Sequence, residues 1–432
     1  VAEPESPPSL GQRREFAEHC SAPPEPDGCA KPSVGRGGGG RLLYAWEYGA
    51  GLGHIGAFLP LARALRSQGH EVSWAVTQTA PTAGLLAKEG FAWLQAPTSR
   101  EVPREGPPLS YSDILLRFGY ASGEELLGLV VAWRELLRLT GAQVVLADHA
   151  PTAILAARSL GIPVMLFSSG FCVPPRIRPL PNMRPWQELP PGQLEALDAP
   201  VLGSINAILE RFGQPPLDAV ARLFDVAEDT LLGFPELDHY AERGPARYWG
   251  NLPDAGVGIA PAWPDFPGKR IFAYLRAEFP HHEPALAALH ALGQPAIVFF
   301  PNVPRTLAER YAAPHLVFSE IPLDLAQTAR EADAAVTYAS LSTATRFLLM
   351  GKPLLLLPGH LEQYLLARRV EEMGAGLLIN AEQSSVELPQ KLRQILFEAD
   401  FTLNAQAFAQ KYAAFPQETV IGHLVRRIEQ LL

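Results

Sequence analysis

A histidine in a glycine-rich turn and an aspartate at the end of an apolar run are the residues of this 432-residue chain best suited to moving a proton. The histidine, His54, closes Gly49-Ala-Gly-Leu-Gly-His, between the strand-like run Arg41-Leu-Leu-Tyr-Ala-Trp-Glu and a helical pattern through Phe58, Leu61, Ala62 and Leu65. At a helix opening the positive end of the dipole disfavours an imidazolium, so the ring is expected to be neutral, the state a general base requires. The plainer alternative is that His54 caps the turn through backbone hydrogen bonds. Asp148 ends Val144-Val-Leu-Ala-Asp, at the carboxyl edge of a strand. There it could accept the distal ring N–H of His54 and fix its tautomer. It could equally be an N-cap or Asx-turn for the following helix, with His149 as its solvent-facing neighbour.

Two other motifs carry less. Gly51, Gly53 and Gly56 match the Gly-x-Gly-x-x-Gly fingerprint of a dinucleotide site. The next strand, however, ends Ala75-Val-Thr-Gln78 without an acid to hold a ribose, and Glu71 stands at its opposite end. An NAD(P)-dependent oxidoreductase is therefore a minor alternative. His281-His282-Glu283 places three potential metal ligands side by side, but neighbouring helix positions point about 100° apart, and a helix start explains them better.

These residues need elements to hold them. The first strand, the His54 helix ending at Gly69 and a strand over 72–76 make a β-α-β unit, which implies a parallel sheet. The rhythm recurs with a strand over 144–148, a helix over 153–160, a Gly161 stop and a strand over 163–167, while 110–140 reads as helices. A second series begins near residue 268: strands at 270–275, 296–300, 316–318, 334–337 and 353–357, with helices at 284–292, 324–332, 343–350 and 363–373. Ile421, Leu424, Val425, Ile428 and Leu431 then share one helical face, which has to dock somewhere, and Arg426 and Arg427 read as charges on its solvated side, with an interdomain ion pair as the lesser alternative.

At roughly 150 residues per domain the length suits two or three domains. Residues 1–40, with seven Gly and seven Pro, read as a disordered tail; 41–249 as a first α/β domain; 250–268 as a Pro/Gly-rich linker; 269–412 as a second α/β domain; and 413–432 as a final helix. Ligands of open parallel sheets lie beyond the carboxyl ends of the strands, so chemistry is expected in a cleft between the two domains. The balance of 36 Lys and Arg against 45 Asp and Glu, net −9, argues against nucleic acid or an anionic bilayer as partner. Cys20, Cys29 and Cys172 are too few for a disulfide framework and read as thiols of a reducing cytoplasm. With no apolar run of 18 residues and no basic-then-apolar leader, the expectation is a soluble, cytoplasmic protein without a transmembrane segment.

Gly53-His54, Pro60-Leu-Ala-Arg-Ala-Leu and Gly69-His-Glu-Val, with Asp333-Ala-Ala-Val, Gly351-Lys-Pro-Leu-Leu-Leu-Leu-Pro358, Glu362-Gln363 and Gly374-Ala-Gly376, resemble the UDP-sugar-dependent glycosyltransferases of the GT-B fold. That group contains plant natural-product and bacterial macrolide or antibiotic glycosyltransferases, and the likeness covers most of residues 41–432. It implies two Rossmann-like α/β domains facing across a cleft, with the C-terminal helix crossing back to the first. It further implies that His54 deprotonates an acceptor hydroxyl with Asp148 as partner, that Glu362 and Gln363 bind sugar hydroxyls, and that a loop near 318–322 faces the base. The reaction would be inverting, from a nucleoside diphosphate sugar to a small-molecule or lipid-like acceptor, with the donor substrate in place of a cofactor.

No Asp-x-Asp pair occurs in the sequence, and helix N-terminal amides with side-chain donors can neutralise a diphosphate without Mg²⁺. Ser340-Leu-Ser342-Thr343 offers such a turn, or plain helix capping. Where the family has a histidine followed by glycines this chain has Tyr338-Ala-Ser340, and where it has a ribose-binding glutamate this chain has Arg346. Tyr338 can give a hydrogen bond but no charge near neutral pH. Arg346 suits phosphate oxygens if it faces the diphosphate, and weakens donor binding if it points outward. These departures leave room for a thymidine diphosphate sugar, or for a non-catalytic ligand-binding or scaffold protein. The loop after Phe167, with Phe171, Arg176, Met183 and Trp186, is either an acceptor wall or a surface excursion packed on itself.

Overall fold

A central strand of a parallel sheet is covered on both faces and reads as a continuous apolar run. Leu42 to Trp46 of β1 (Arg41–Trp46) are buried throughout. The chain then enters α1 (Gly53–Ser67), whose buried Ile55, Phe58, Leu59, Leu61, Ala62 and Leu65 make one helical face, and returns through β2 (Glu71–Val76). The computed structural model describes residues 39–432 apart from Leu52, Glu242, 254–257, Gln383 and 416–418. Except for Gly39 and Gly40, the expected tail, with Cys20 and Cys29, lies outside the described residues.

Next come α2 (Thr79–Glu89), β3 (Ala92–Gln95), α3 (Tyr111–Arg117), α4 (Gly123–Thr140), β4 (Val144–Asp148), α5 (Pro151–Leu160), β5 (Val164–Leu166) and α6 (Gln193–Arg211). The five strands form a parallel sheet in the order β3-β2-β1-β4-β5. The order reverses between β1 and β4, so the loops leaving these two strands diverge and open a crevice at their carboxyl ends. Register puts Trp46 of β1 opposite Asp148 of β4.

The second sheet is built from β6 (Ile271–Tyr274), α7 (His282–Leu292), β7 (Ala296–Phe299), α8 (Arg305–Tyr311), β8 (Leu316–Ser319), α9 (Leu325–Glu331), β9 (Ala334–Thr337), α10 (Leu341–Leu349), β10 (Leu354–Leu356), α11 (Leu361–Glu372) and β11 (Gly376–Leu378), followed by α12 (Leu388–Phe397) and α13 (Ala399–Lys411). Its strand order is β11-β10-β9-β6-β7-β8, again all parallel. Here the reversal falls between β6 and β9. Two parallel sheets flanked by helices are the architecture expected from the alternating pattern.

The last element, α14 (Val420–Leu431), packs on α1. Val420, Leu424, Val425 and Ile428 join Tyr44, Phe58 and Leu65 in one apolar core. Arg427 takes the ion pair, the lesser of its two expectations, while staying partly open to solvent. Its guanidinium lies 2.8 Å from Oε2 of Glu228, a carboxylate only 1% exposed that also pairs with Arg247. Arg426 is exposed. The Pro/Gly-rich segment is pinned where it is described: Ile259 N–H donates to the Pro322 carbonyl and the Ile259 carbonyl accepts from Asp324 N–H, beside the loop expected to face a base. Among the described residues no helix is long and apolar enough to cross a membrane.

Candidate functional site

The crevice at the first reversal holds His54 and Asp148. His54 is the second residue of α1, and Asp148 is the last of β4. Nδ1–H of His54 donates to Asp148 Oδ2 over 2.8 Å, which leaves Nε2 as the acceptor nitrogen. The ring stacks on Trp46, centroids 4.9 Å apart, and the side chain keeps 23% of its surface open, so Nε2 can meet a ligand. Asp148 is not an N-cap, since Ala150 occupies that position of α5. Its carboxylate instead gathers three donors: His54, Tyr44 Oη at 2.6 Å on the same Oδ2, and Ser168 Oγ at 3.3 Å on Oδ1.

The carboxylates act on the ring against the helix dipole. Burial disfavours the imidazolium of His54, but the charge and hydrogen bond of Asp148, with Glu362 adding, outweigh it and raise the pKa above its ordinary 6.5. His149 also differs from expectation. It is buried at a left-handed φ of 45°, among Tyr48, Tyr111 and Phe171, and burial pushes its ring down to about 3.

The opposite wall comes from the second sheet. Glu362 lies in the first turn of α11, and its Oε1 accepts from Ser169 Oγ, on the loop after β5, at 3.3 Å. Burial raises its carboxyl pKa against the lowering influence of His54. A carboxyl of one sheet thus stands beside the proton-handling pair of the other. Gln363 is buried and its Oε1 accepts from Gly359 N–H at 2.8 Å, tying its own turn.

Around the second reversal the predicted donor residues separate. Ser340 is the N-cap residue of α10 but its hydroxyl caps nothing; Ser340 and Ser342 are exposed and Thr343 is half-buried. Two hydroxyl-bearing residues at a helix N-terminus are thus open to solvent. Tyr338 is buried instead. Its Oη accepts from the Arg276 N–H at 2.9 Å and its ring packs on Phe279 at 4.4 Å, so it bridges the loops after β6 and β9. Arg346 matches neither expected orientation: it is buried and donates to the Leu252 carbonyl at 3.1 Å, which binds α10 to the connection between the sheets.

Of the predicted acceptor wall, Phe171 lies against His149, Met183 is part of the apolar core, and Arg176 pairs with Asp225. Exposed Trp186 reaches the other sheet, its ring 5.1 Å from Tyr364 and under Arg368. His281 and His282 each bond a backbone carbonyl, of Asn380 and Phe279. No described cluster of three or more His, Cys, Asp or Glu could hold a metal ion. Sequence reasoning missed Tyr44, Ser168 and Ser169. Tyr44 stands inside an apolar strand and reads as core, while the Ser-Ser pair directly follows a strand and carried a usable signal.

Gly49, at φ 103°, passes so close to His54 that a Cβ there would lie 2.9 Å from Nε2. Gly49→Ala should therefore crowd the one open ring nitrogen and strain the turn by about 1 kcal/mol. The expected result is a raised acceptor KM and lower kcat, with only a small drop in Tm. Steady-state kinetics and thermal melting would check it.

No protein-family model matches the chain. Among curated proteins it is 27% identical over 312 residues to "PGL/p-HBAD biosynthesis glycosyltransferase" sequences of Mycobacterium tuberculosis, covering 67% of this chain and 72% of theirs. Among solved structures it is similar to the spinosyn rhamnosyltransferase SpnG complexed with spinosyn aglycone (TM-score 0.66, 19% identity, 90% of this chain and 100% of that one). It is also similar to the calicheamicin glycosyltransferase CalG4 (TM-score 0.68, 17% identity, 91% and 98%). Two facing sheets with opposed crevices, superposable on such proteins over nine-tenths of the chain, make this a GT-B fold.

Proposed function

We propose that the protein is an inverting glycosyltransferase that moves a sugar from a UDP- or dTDP-linked donor to a hydroxyl of a small-molecule or lipid-like acceptor. The observation that carries the reading is the His54–Asp148 pair at the mouth of the first crevice, with Nε2 open and Glu362 facing it from the second sheet. His54 Nε2 takes the acceptor proton while Asp148 holds the tautomer and stabilises the imidazolium that forms. The oxygen attacks the anomeric carbon from the face opposite the nucleotide, the bond to the diphosphate breaks, and the configuration inverts. Ser340, Ser342, Thr343 and the α10 amides receive the departing charge. Glu362 binds a sugar hydroxyl; Gln363 shapes the turn that presents it. Tyr338 and Arg346 act as supports of this site. The mycobacterial relatives carry a glycosyltransferase name, and SpnG was also solved with thymidine diphosphate, which supports a nucleoside diphosphate donor.

The competing reading is a non-catalytic binding protein on the same fold. It is favoured by the buried Tyr338 and the inward-turned Arg346. Thermal-shift and calorimetric titration with UDP, dTDP, their glucose conjugates and NAD⁺ separates the readings, followed by a transfer assay. A donor at a hundred times its Kd should stabilise the fold by about 2.7 kcal/mol, and transfer should follow. Binding without transfer would favour the binding protein, and NAD⁺ alone would favour an oxidoreductase.

A further inference from the structure

Asp148 Oδ2 accepts two hydrogen bonds at once, from His54 Nδ1 at 2.8 Å and from Tyr44 Oη at 2.6 Å. We propose that Tyr44 is a positioning residue that sets the basicity of His54 by competing with it for one carboxylate oxygen.

The geometry is built into the sheet. Tyr44 is on β1 opposite Leu146, two residues before the partner of Asp148, so alternation puts Tyr44, Trp46 and the aspartate on one face. Its ring is wholly buried, stacked on Phe58 at 4.2 Å with an interplanar angle of 8°, and held edge-on by Trp74 at 4.9 Å and Phe167 at 6.3 Å. Three aromatic walls leave the hydroxyl no freedom to follow a moving carboxylate. The carboxylate must come to it. A secondary contact of Tyr44 Oη with the His54 carbonyl, at 3.3 Å, ties the same hydroxyl to the histidine's backbone.

A hydrogen bond donated to an ionised carboxylate stabilises that charge and draws electron density from the shared oxygen. The field felt by His54 is therefore weaker than that of a carboxylate bonded to it alone, and the imidazolium is stabilised less. For a base that must accept a proton and later release it, this keeps Asp148 from holding the ring protonated. The charged and titratable groups facing His54 are few: Asp148 from β4, Glu362 from α11, and His149, which burial keeps uncharged. Among the described residues Tyr44 alone shares the oxygen that His54 uses.

This inference rests on the transferase reading for its purpose, but its test does not need turnover. The titration of His54 is followed by NMR in ¹³C-histidine-labelled full-length protein, the resonance being assigned by its loss in His54→Gln. Tyr44→Phe keeps the stacked ring and removes the hydroxyl, and the His54 midpoint should move upward. Site-specific 3-fluorotyrosine at position 44, a stronger donor, should move it downward, and it serves also if Tyr44→Phe does not fold. In an active protein, Tyr44→Phe should lose kcat/KM several-fold on the acid side of the profile and none on the alkaline plateau. A role confined to packing would lower Tm and leave the midpoint in place. Unchanged midpoints overturn the inference. Shifted midpoints uphold it even if no nucleotide-sugar is turned over, a result that would count against the transferase reading alone.

Discussion

His54→Ala should lower sugar transfer by about a thousandfold, within the range that general-base catalysis contributes. Donor affinity should stay close to that of the parent, because the proposed mechanism places the ring on the acceptor side of the cleft. Initial rates and calorimetric donor titration distinguish the two effects; equal rates in variant and parent would remove His54 from the mechanism. The pH profile carries the same information with a definite sign. In the proposed mechanism the base works as the neutral imidazole, and Asp148 raises the His54 pKa above 6.5 despite burial. As pH falls, His54 protonates and kcat/KM declines, so the acid limb should lie on the alkaline side of an ordinary histidine. In His54→Ala this limb should vanish from whatever activity persists.

Asp148→Asn should be nearly as damaging, by about a thousandfold or more, for a different reason. The amide is almost isosteric, so the residue still fits between Tyr44 and Ser168. Both of its present neighbours at Oδ2, however, are donors. Asparagine offers one acceptor oxygen and one N–H₂ group, so it keeps both hydrogen bonds only when its oxygen takes the place of Oδ2. If the N–H₂ faces the ring, His54 must turn Nδ1 into the acceptor and carry its proton on Nε2, the nitrogen that should take the substrate's. If the oxygen faces the ring, both hydrogen bonds persist, but the negative charge that stabilises the imidazolium is gone. Loss of activity with Tm kept marks the oxygen facing the ring, and loss of activity with Tm lowered marks the N–H₂ set against two donors.

Much of this site was legible because its two main residues stand at strand ends. A strand-turn-helix rhythm around Gly49 to Gly56 puts His54 at a carboxyl edge, and the apolar run 144–147 does the same for Asp148. What the chain alone does not reveal is strand order. That β1 lies beside β4 is what brings Tyr44 to Asp148, and nothing local in Leu-Leu-Tyr-Ala-Trp distinguishes a catalytic support from an ordinary core aromatic. His149 misled because a histidine after an aspartate in a loop looks exposed, whereas the crevice folds Tyr48, Tyr111 and Phe171 over it. Arg346 misled because arginine on a short helix suggests a ligand-facing charge, while the partner it found is a carbonyl of the connecting segment. β3, only partly covered, lacks the apolar run that marks the central strands, which is why its neighbourhood went unread.

The packing of α14 on α1 has an implication for how the molecule is made. Tyr44, Phe58 and Leu65 are translated early, yet the surface they present is closed by Val420, Leu424 and Ile428, which emerge only after the whole second sheet. A nascent chain therefore carries a greasy seam on its first sheet until the helix beyond the second sheet arrives. Premature termination ahead of Val420 would leave the second sheet's own core intact and injure the first one, hundreds of residues upstream of the lesion.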